Sequence, residues 1–305
     1  VSVLEDRVAL LADLRLDSGG HNGWQQGACV MEAVAYVAGE PWSDHPECAS
    51  PIITAFLIRL NDRLGDADRQ LLKPFIPRLV GTRTTEEDED TRRWMITDWL
   101  VHEALPGLLR TADLTEHAEA MERLAAVVDR ATYDAAHHAL SLAGDAAWSK
   151  RSAWRQRLRD EVKARVKELL AEKPADAAAD AAADAAAAAA AAAAAVAAAD
   201  AAADAVADAD AVAAAAAAAA AVAAADADAA ADAAAAAVAD AVAAAVAAAA
   251  ADAAADADWS TSYQAAYKAA YDVLRPIYEE RFVEISRGLL QSALVLLDRL
   301  IEVGK

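Results

Sequence analysis

From residue 175 to residue 258 the chain obeys a strict two-residue repeat: every odd position is Ala, and the even positions hold Asp, Val or Ala. The stretch contains 63 Ala, 14 Asp and 7 Val in 84 residues, with no Lys or Arg. Two conformations compete for it. A period of two matches a β-strand, with one face of Ala and the other of Asp, Val or Ala, and such strands can stack as a β-solenoid. Helix propensity points the other way, because Ala is the best helix former and is depleted in sheets. On a helix a period of two visits every side, so no consistent apolar face results. Asp residues four apart repel by only a few tenths of a kcal/mol, which summed Ala propensity outweighs. The expectation is helix, either one rod of roughly 126 Å or several shorter ones; β-solenoid and disorder are the alternatives. Ala, Asp and Val codons can all read G-N-C, so slippage of a GC-rich hexanucleotide also writes a segment of this kind.

The repeat divides the chain into residues 1–174, 175–258 and 259–305. The first part is long enough to bury a core. The last, at 47 residues, is expected to dock on it. Of the net charge of −21, the repeat supplies −14. An acidic balance disfavours nonspecific nucleic-acid binding and attachment to anionic membranes. The repeat does not imitate a nucleic acid either: on a straight helix its charges fall about 9 Å apart, against about 1.7 Å in duplex DNA. Nor does it span a bilayer, since its longest Asp-free runs, 185–199 and 211–225, are 15 residues each, short of the roughly 20 required. The partner to expect is another protein or a second copy. Two cysteines make no disulfide framework, and Glu5, Asp6, Arg7 and Asp13 interrupt any secretory signal. A cytoplasmic protein with reduced thiols follows as the expectation. No Walker or Rossmann glycine pattern occurs, so no cofactor is expected.

Outside the repeat the periodicity predicts an all-α fold: a helical N-terminal domain, an Ala-rich helical insert and C-terminal amphipathic helices. Leu4, Val8, Leu11 and Leu14 mark one helix over 1–16. Ala28 to Ala38 reads as a buried helix closed by Gly39. Ser50-Pro51 is an N-cap followed by proline at the first helical position. Pro74 and Pro77 must kink or end the helical segment 66–80. Thr84 and Glu87 suggest a capping box for a helix that buries Trp94, Ile96, Trp99 and Leu100 until Pro106-Gly107 interrupts it near Ala104. Further helices are predicted over 115–129, 132–142 and 145–173. After the repeat, Tyr263, Tyr267 and Tyr271 share a face, and Phe282 to Ile301 carry a strong apolar stripe.

Three stretches carry a resemblance. They are Gly27 to Pro46 (GACVMEAVAYVAGEPWSDHP), Cys48-Ala49-Ser50-Pro51, and Leu71 to Arg83 (LLKPFIPRLVGTR), together with the closing Ser292 to Val303. In these the chain resembles a family of alanine-repeat-containing proteins from high-GC actinobacteria, their phages and environmental viral sequences, for which no activity is assigned. The resemblance implies a phage or mobile-element context and an alanine-alternating insert at this place. It implies no catalytic residues.

Candidate chemistry clusters around Cys29. A thiol at a helix N-terminus has a lowered pKa and can act as a nucleophile, with His21, His45 or His102 as base. The arrangement distantly resembles papain-like enzymes but lacks their Cys-Gly-Ser-Cys-Trp signature. The competing reading is a buried Cys packed beside Val30 and Val34. His21, Cys29, His45 and Cys48 are the ligand types of a zinc site, although the Cys29-x15-His45-x2-Cys48 spacing is not a standard one. Glu32, Glu40 and Asp44 offer carboxylates for acid–base work. Glu32 stands in an otherwise apolar helix, where an ion pair with Arg59, Arg63 or Arg78 is the simpler account. Trp24 and Trp42 either line a pocket or cap a small core. The basic run from Lys150 to Lys167 is a solvated helix face. These features point to a non-enzymatic structural or interaction protein, with a small cysteine-dependent hydrolase or metal-binding protein centred on Cys29 as the alternative.

Overall fold

The apolar run after Cys29 forms the middle of the molecule. Helix α2, Val30–Ala38, buries all but two of its nine residues. Gly39 ends it in the left-handed conformation, φ 76°, and a side chain there would collide with Leu4 as well as strain the backbone. The protein is described by a computed structural model over residues 2–172 and 287–305, and these residues are all-α. The repeat, Tyr263, Tyr267, Tyr271, Phe282 and Ile285 lie outside them. Among the described residues, no helix is long and apolar enough to cross a membrane.

Against α2 pack α1 (Glu5–Val8), α3 (Pro51–Arg63) and the one-turn helix α5 (Ile76–Leu79), which follows another such helix, α4 (Asp66–Arg69). The single helix expected over 1–16 is shorter. A 3-10 turn, Ala9–Ala12, continues α1, after which the chain extends. Tertiary hydrogen bonds have replaced helical ones: Leu16 bridges Ala28, exchanges bonds with the Gln70 amide at 3.0 and 2.9 Å, and precedes Asp17, whose N–H reaches the Ala28 carbonyl at 3.0 Å. Ser50 caps α3 through its hydroxyl, which accepts the Ile53 N–H at 3.2 Å, with Pro51 leading the helix. Pro74 falls in a 3-10 segment between α4 and α5, and Pro77 in the first turn of α5, so the two prolines break 66–80 into short pieces.

Helix α6, Glu86–Trp99, crosses α3. Its capping box is made by Thr85 and Asp88, one residue later than the expected Thr84 and Glu87. Thr84 is occupied elsewhere, its hydroxyl accepting an Arg92 N–H at 3.2 Å. Trp94 is only half-buried, whereas Ile96, Trp99 and Leu100 are buried. Pro106-Gly107 does not interrupt the helical path. A π turn, Leu100–Ala104, passes directly into α7 (Leu105–Thr111). The wider turn changes the hydrogen-bonding register just before a residue that has no N–H to give, so the proline is carried at the start of the new helix. After α8, Thr115–Glu122, Asp129 and Thr132 exchange capping bonds and open α9, Arg130–Glu172. The two helices expected over 132–142 and 145–173 are therefore one, continuous through Gly144. Tyr133, Ala136, Leu140, Ala143 and Ala147 alternate steps of three and four and are the buried stripe of its first half.

The C-terminal helix, residues 287–302, completes this core. Leu289, Leu290, Ala293, Leu296, Leu297, Leu300 and Ile301 are buried in the same hydrophobic cluster as α2, α6 and the start of α9. Polar contacts fix its position. Arg92, fully buried on α6, donates to the Leu300 carbonyl at 3.1 Å and the Val303 carbonyl at 2.7 Å. Trp99 donates its indole N–H to Ser292 at 2.9 Å. On the surface, Arg78 of α5 pairs with Asp298 and Glu302. Gly304 follows the last turn with φ +80°, and a Cβ there would lie 2.7 Å from the Asp88 carboxylate.

Candidate functional site

The N-terminus of α2 gathers the residues singled out around Cys29. Cys29 is the N-cap: its Sγ accepts the Glu32 N–H at 3.4 Å while Glu32 Oε2 accepts the Cys29 N–H at 2.7 Å. This is a capping box in which a thiol replaces the usual hydroxyl. The same carboxylate takes the His21 backbone N–H at 2.6 Å on Oε1 and the His21 ring Nδ1 at 2.8 Å on Oε2. Glu32 is 2% exposed. A carboxylate so deep is supported by these donors and by the positive end of the helix dipole. The expected ion pair with Arg59, Arg63 or Arg78 is thus replaced by local hydrogen bonds with His21, and Arg78 serves the C-terminal helix instead.

The loop 17–27 is folded down over this point. Trp42 donates its indole N–H to the His21 carbonyl at 2.7 Å. Asn61 of α3 accepts the Val30 N–H and donates to the Asp17 carbonyl, at 3.1 and 2.9 Å. Gly27, φ +106°, lies under the imidazole, where a Cβ would meet the ring at 3.2 Å. Trp24 stacks on Tyr36 with ring centroids 4.3 Å apart, Trp42 approaches Tyr36 edge-on, and the Arg7 guanidinium covers the tyrosine, 4.6 Å from its centroid. Trp24 and Trp42 therefore pack on Tyr36 at the edge of the core.

The geometry gives Cys29 the opposite of a nucleophile's environment. Burial pushes its thiol up to about 12, and the adjacent Glu32 carboxylate adds to the rise, together outweighing the backbone N–H of Glu32 that favours the thiolate. The lowered pKa expected at a helix N-terminus is overridden by desolvation and by a neighbouring negative charge. Among the described residues no hydrogen bond joins the His21 ring to Cys29. Glu32 is the group that both of them touch.

The remaining candidates are dispersed. His45 is exposed in the next loop, its Nδ1 2.8 Å from Asp44. Cys48 is buried elsewhere, at the corner where its carbonyl accepts the Gly81 and Arg83 N–H groups. Burial and the Glu40 side chain push its thiol up to about 11. Glu40 accepts the Glu47 N–H at 2.6 Å and so serves that loop. His102 belongs to the π turn, with Nδ1 3.0 Å from Asp98 Oδ1 and Nε2 3.2 Å from the Leu124 carbonyl. His21, Cys29, His45 and Cys48 do not converge, and no three His, Cys, Asp or Glu side chains among the described residues are disposed to hold a metal ion.

The polar group that sequence reasoning passes over is centred on Arg92. Glu89 pairs with it at 2.6 Å and accepts the Ser50 hydroxyl, and the Ser50 N–H in turn reaches Thr82 at 3.0 Å. A buried chain of hydrogen bonds thus runs from the cap of α3, through α6, to the carbonyls of the C-terminal helix. The signal was present as spacing: Arg92, Ile96 and Trp99 share one helical face, and the last two are apolar. No known protein family, curated protein or solved structure matches the chain.

Proposed function

We propose that this chain is a non-enzymatic structural or interaction protein that carries the acidic Ala-X repeat as an insert within a helical domain. One observation carries the reading. The first half of α9, which precedes the repeat, and the C-terminal helix, which follows it, contribute to one hydrophobic cluster. A segment whose two flanks return to the same core is an insertion in that domain, not a spacer between two domains. The best-formed polar groups, Glu32 with His21 and Arg92 with Glu89, are spent on helix ends and on loops. The resemblance to alanine-repeat proteins of actinobacteria and their phages supports a phage or mobile-element setting, with another protein or a second copy as partner.

Excision of residues 175–258 tests this. The shortened chain should keep a cooperative thermal transition within about 5 °C of the full chain, because lengthening or shortening a surface insertion changes loop-closure entropy only logarithmically. Loss of the transition on excision would make the repeat part of the fold and refute the reading.

A further inference from the structure

From the closing of the core by its last helix, we infer that the trough presented by α5 and α6 is a helix-binding site open to exchange, and that in trans its occupant is the C-terminal helix of a second copy. The inference rests on the insertion reading above and extends it to a partner.

The trough has the attributes of a recognition site, and each is selective. Ile96 and Trp99 offer apolar surface to the Leu and Ala stripe of the helix, and the Trp99 N–H selects the hydroxyl of Ser292. Arg78 reads two carboxylates four residues apart, Asp298 and Glu302. Arg92 takes the terminal carbonyls, the groups a helix end leaves without partners. Residue 304 lies against Asp88 and Thr84 with φ +80°, a conformation that favours glycine. The ligand so defined is an amphipathic helix with an i, i+4 acidic pair and a glycine just past its end. A second copy of this chain supplies it in full.

Nothing in these contacts distinguishes the chain's own helix from a neighbour's. Every one is made by residues 289–304, and what favours the chain's own copy is a covalent path of 114 residues, 173–286. A second copy at high concentration competes with closure over a path of that length. An exchanged dimer retains every contact named above, which makes swapping of this helix a low-cost route to association. The helix is also reachable: an open groove lined by Arg78, Met95, Arg299 and Glu302 runs along its seam, and Val295 on its outer side is 60% exposed.

The test uses full-length chains. One carries Met95→Cys and the other Arg299→Cys, which line the open groove beside the seam and make none of the polar contacts named above. Mixed at high concentration, warmed briefly and treated with a short thiol-bridging reagent, they should give a covalent heterodimer. Its yield should rise with concentration and exceed by at least tenfold that of either variant alone. A single chain bearing both substitutions is the reference for closure within one molecule. If that chain bridges internally while the mixture yields no heterodimer at any concentration, exchange is refuted and the insertion reading stands. If neither bridges, the helix does not occupy the trough, and both readings fall.

Discussion

Two buried charges at helix ends organise this molecule, and they differ in how far apart in the chain their partners lie. Glu32 is a negative group in the first turn of α2, served by Cys29 and His21, all within eleven residues. Arg92 is a positive group at the carbonyl end of the C-terminal helix, more than two hundred residues from the carbonyls it binds. Each places its charge where the helix dipole favours it. The first tidies a loop beside a helix that is already in the core. The second joins the part of the chain before the insert to the part after it. Polar chemistry of similar quality therefore serves local order in one place and closure of the domain in the other.

The comparison can be broken by substitution. Arg92→Met should have the largest effect. It frees two buried carbonyls and leaves Glu89 without its cation, costing about 3–5 kcal/mol, read as a lower urea midpoint. A loss under about 1 kcal/mol would show that apolar packing alone holds the C-terminal helix. Glu32→Ala should cost less, about 2–3 kcal/mol, since charged hydrogen bonds are lost but the loop can let in water; protease cleavage within residues 17–27 should quicken alongside. If Glu32→Ala proves the more damaging of the two, the ranking of local and long-range contacts is wrong.

Cys29→Ser sharpens the comparison with the smallest change. At neutral pH it should shift stability by no more than about 1 kcal/mol, since a hydroxyl is a good cap. The alkaline side is more informative. The folded-state pKa is raised from 9.0 to about 12, so the buried thiol contributes stability that is present below pH 9 and is lost as pH climbs toward 12. The unsubstituted chain should thus lose about 2–3 kcal/mol more than Cys29→Ser between pH 9 and pH 11. A thiol that alkylates rapidly in the folded protein at pH 7 would contradict this and return Cys29 to the nucleophiles.

What could be read from the sequence follows the same division. Gly39 and Ser50-Pro51 act through hydrogen bonds or backbone angles within a few residues, and they mark the C-terminal end of α2 and the start of α3 where expected, while α2 begins at Val30, two residues later than Ala28. Glu32 is visible in the sequence as a charge in an apolar run, but composition points to an arginine partner while the nearer His21 supplies it. The caps that slipped, Thr84 for Thr85 and Glu87 for Asp88, did so because Arg92 claims Thr84, a tertiary fact absent from any local window. The shortening of the first helix has the same cause, in the pull of Ala28 and Gln70 on Leu16. Arg92 itself was hidden by its company: the run Glu86 to Arg93 looks solvated, and only the phase of Ile96 and Trp99 shows which of its charges turns inward.

That phase brings the π turn at Leu100–Ala104 into view as a rotational coupling. A π turn absorbs one residue more than an α turn, so the apolar positions beyond it are shifted by about 100° in sequence phase from those before it. Ahead of the turn, Arg92 and Trp99 are directed to the C-terminal helix; beyond it, Leu105, Leu108 and Leu109 are buried where α7 meets α8. One nearly continuous rod thereby addresses two different neighbours without a loop between them. Any of several apolar side chains would serve at positions 100, 101 or 104, and losing one residue from the stretch would restore an ordinary α turn and keep the leucines of α7 on α8.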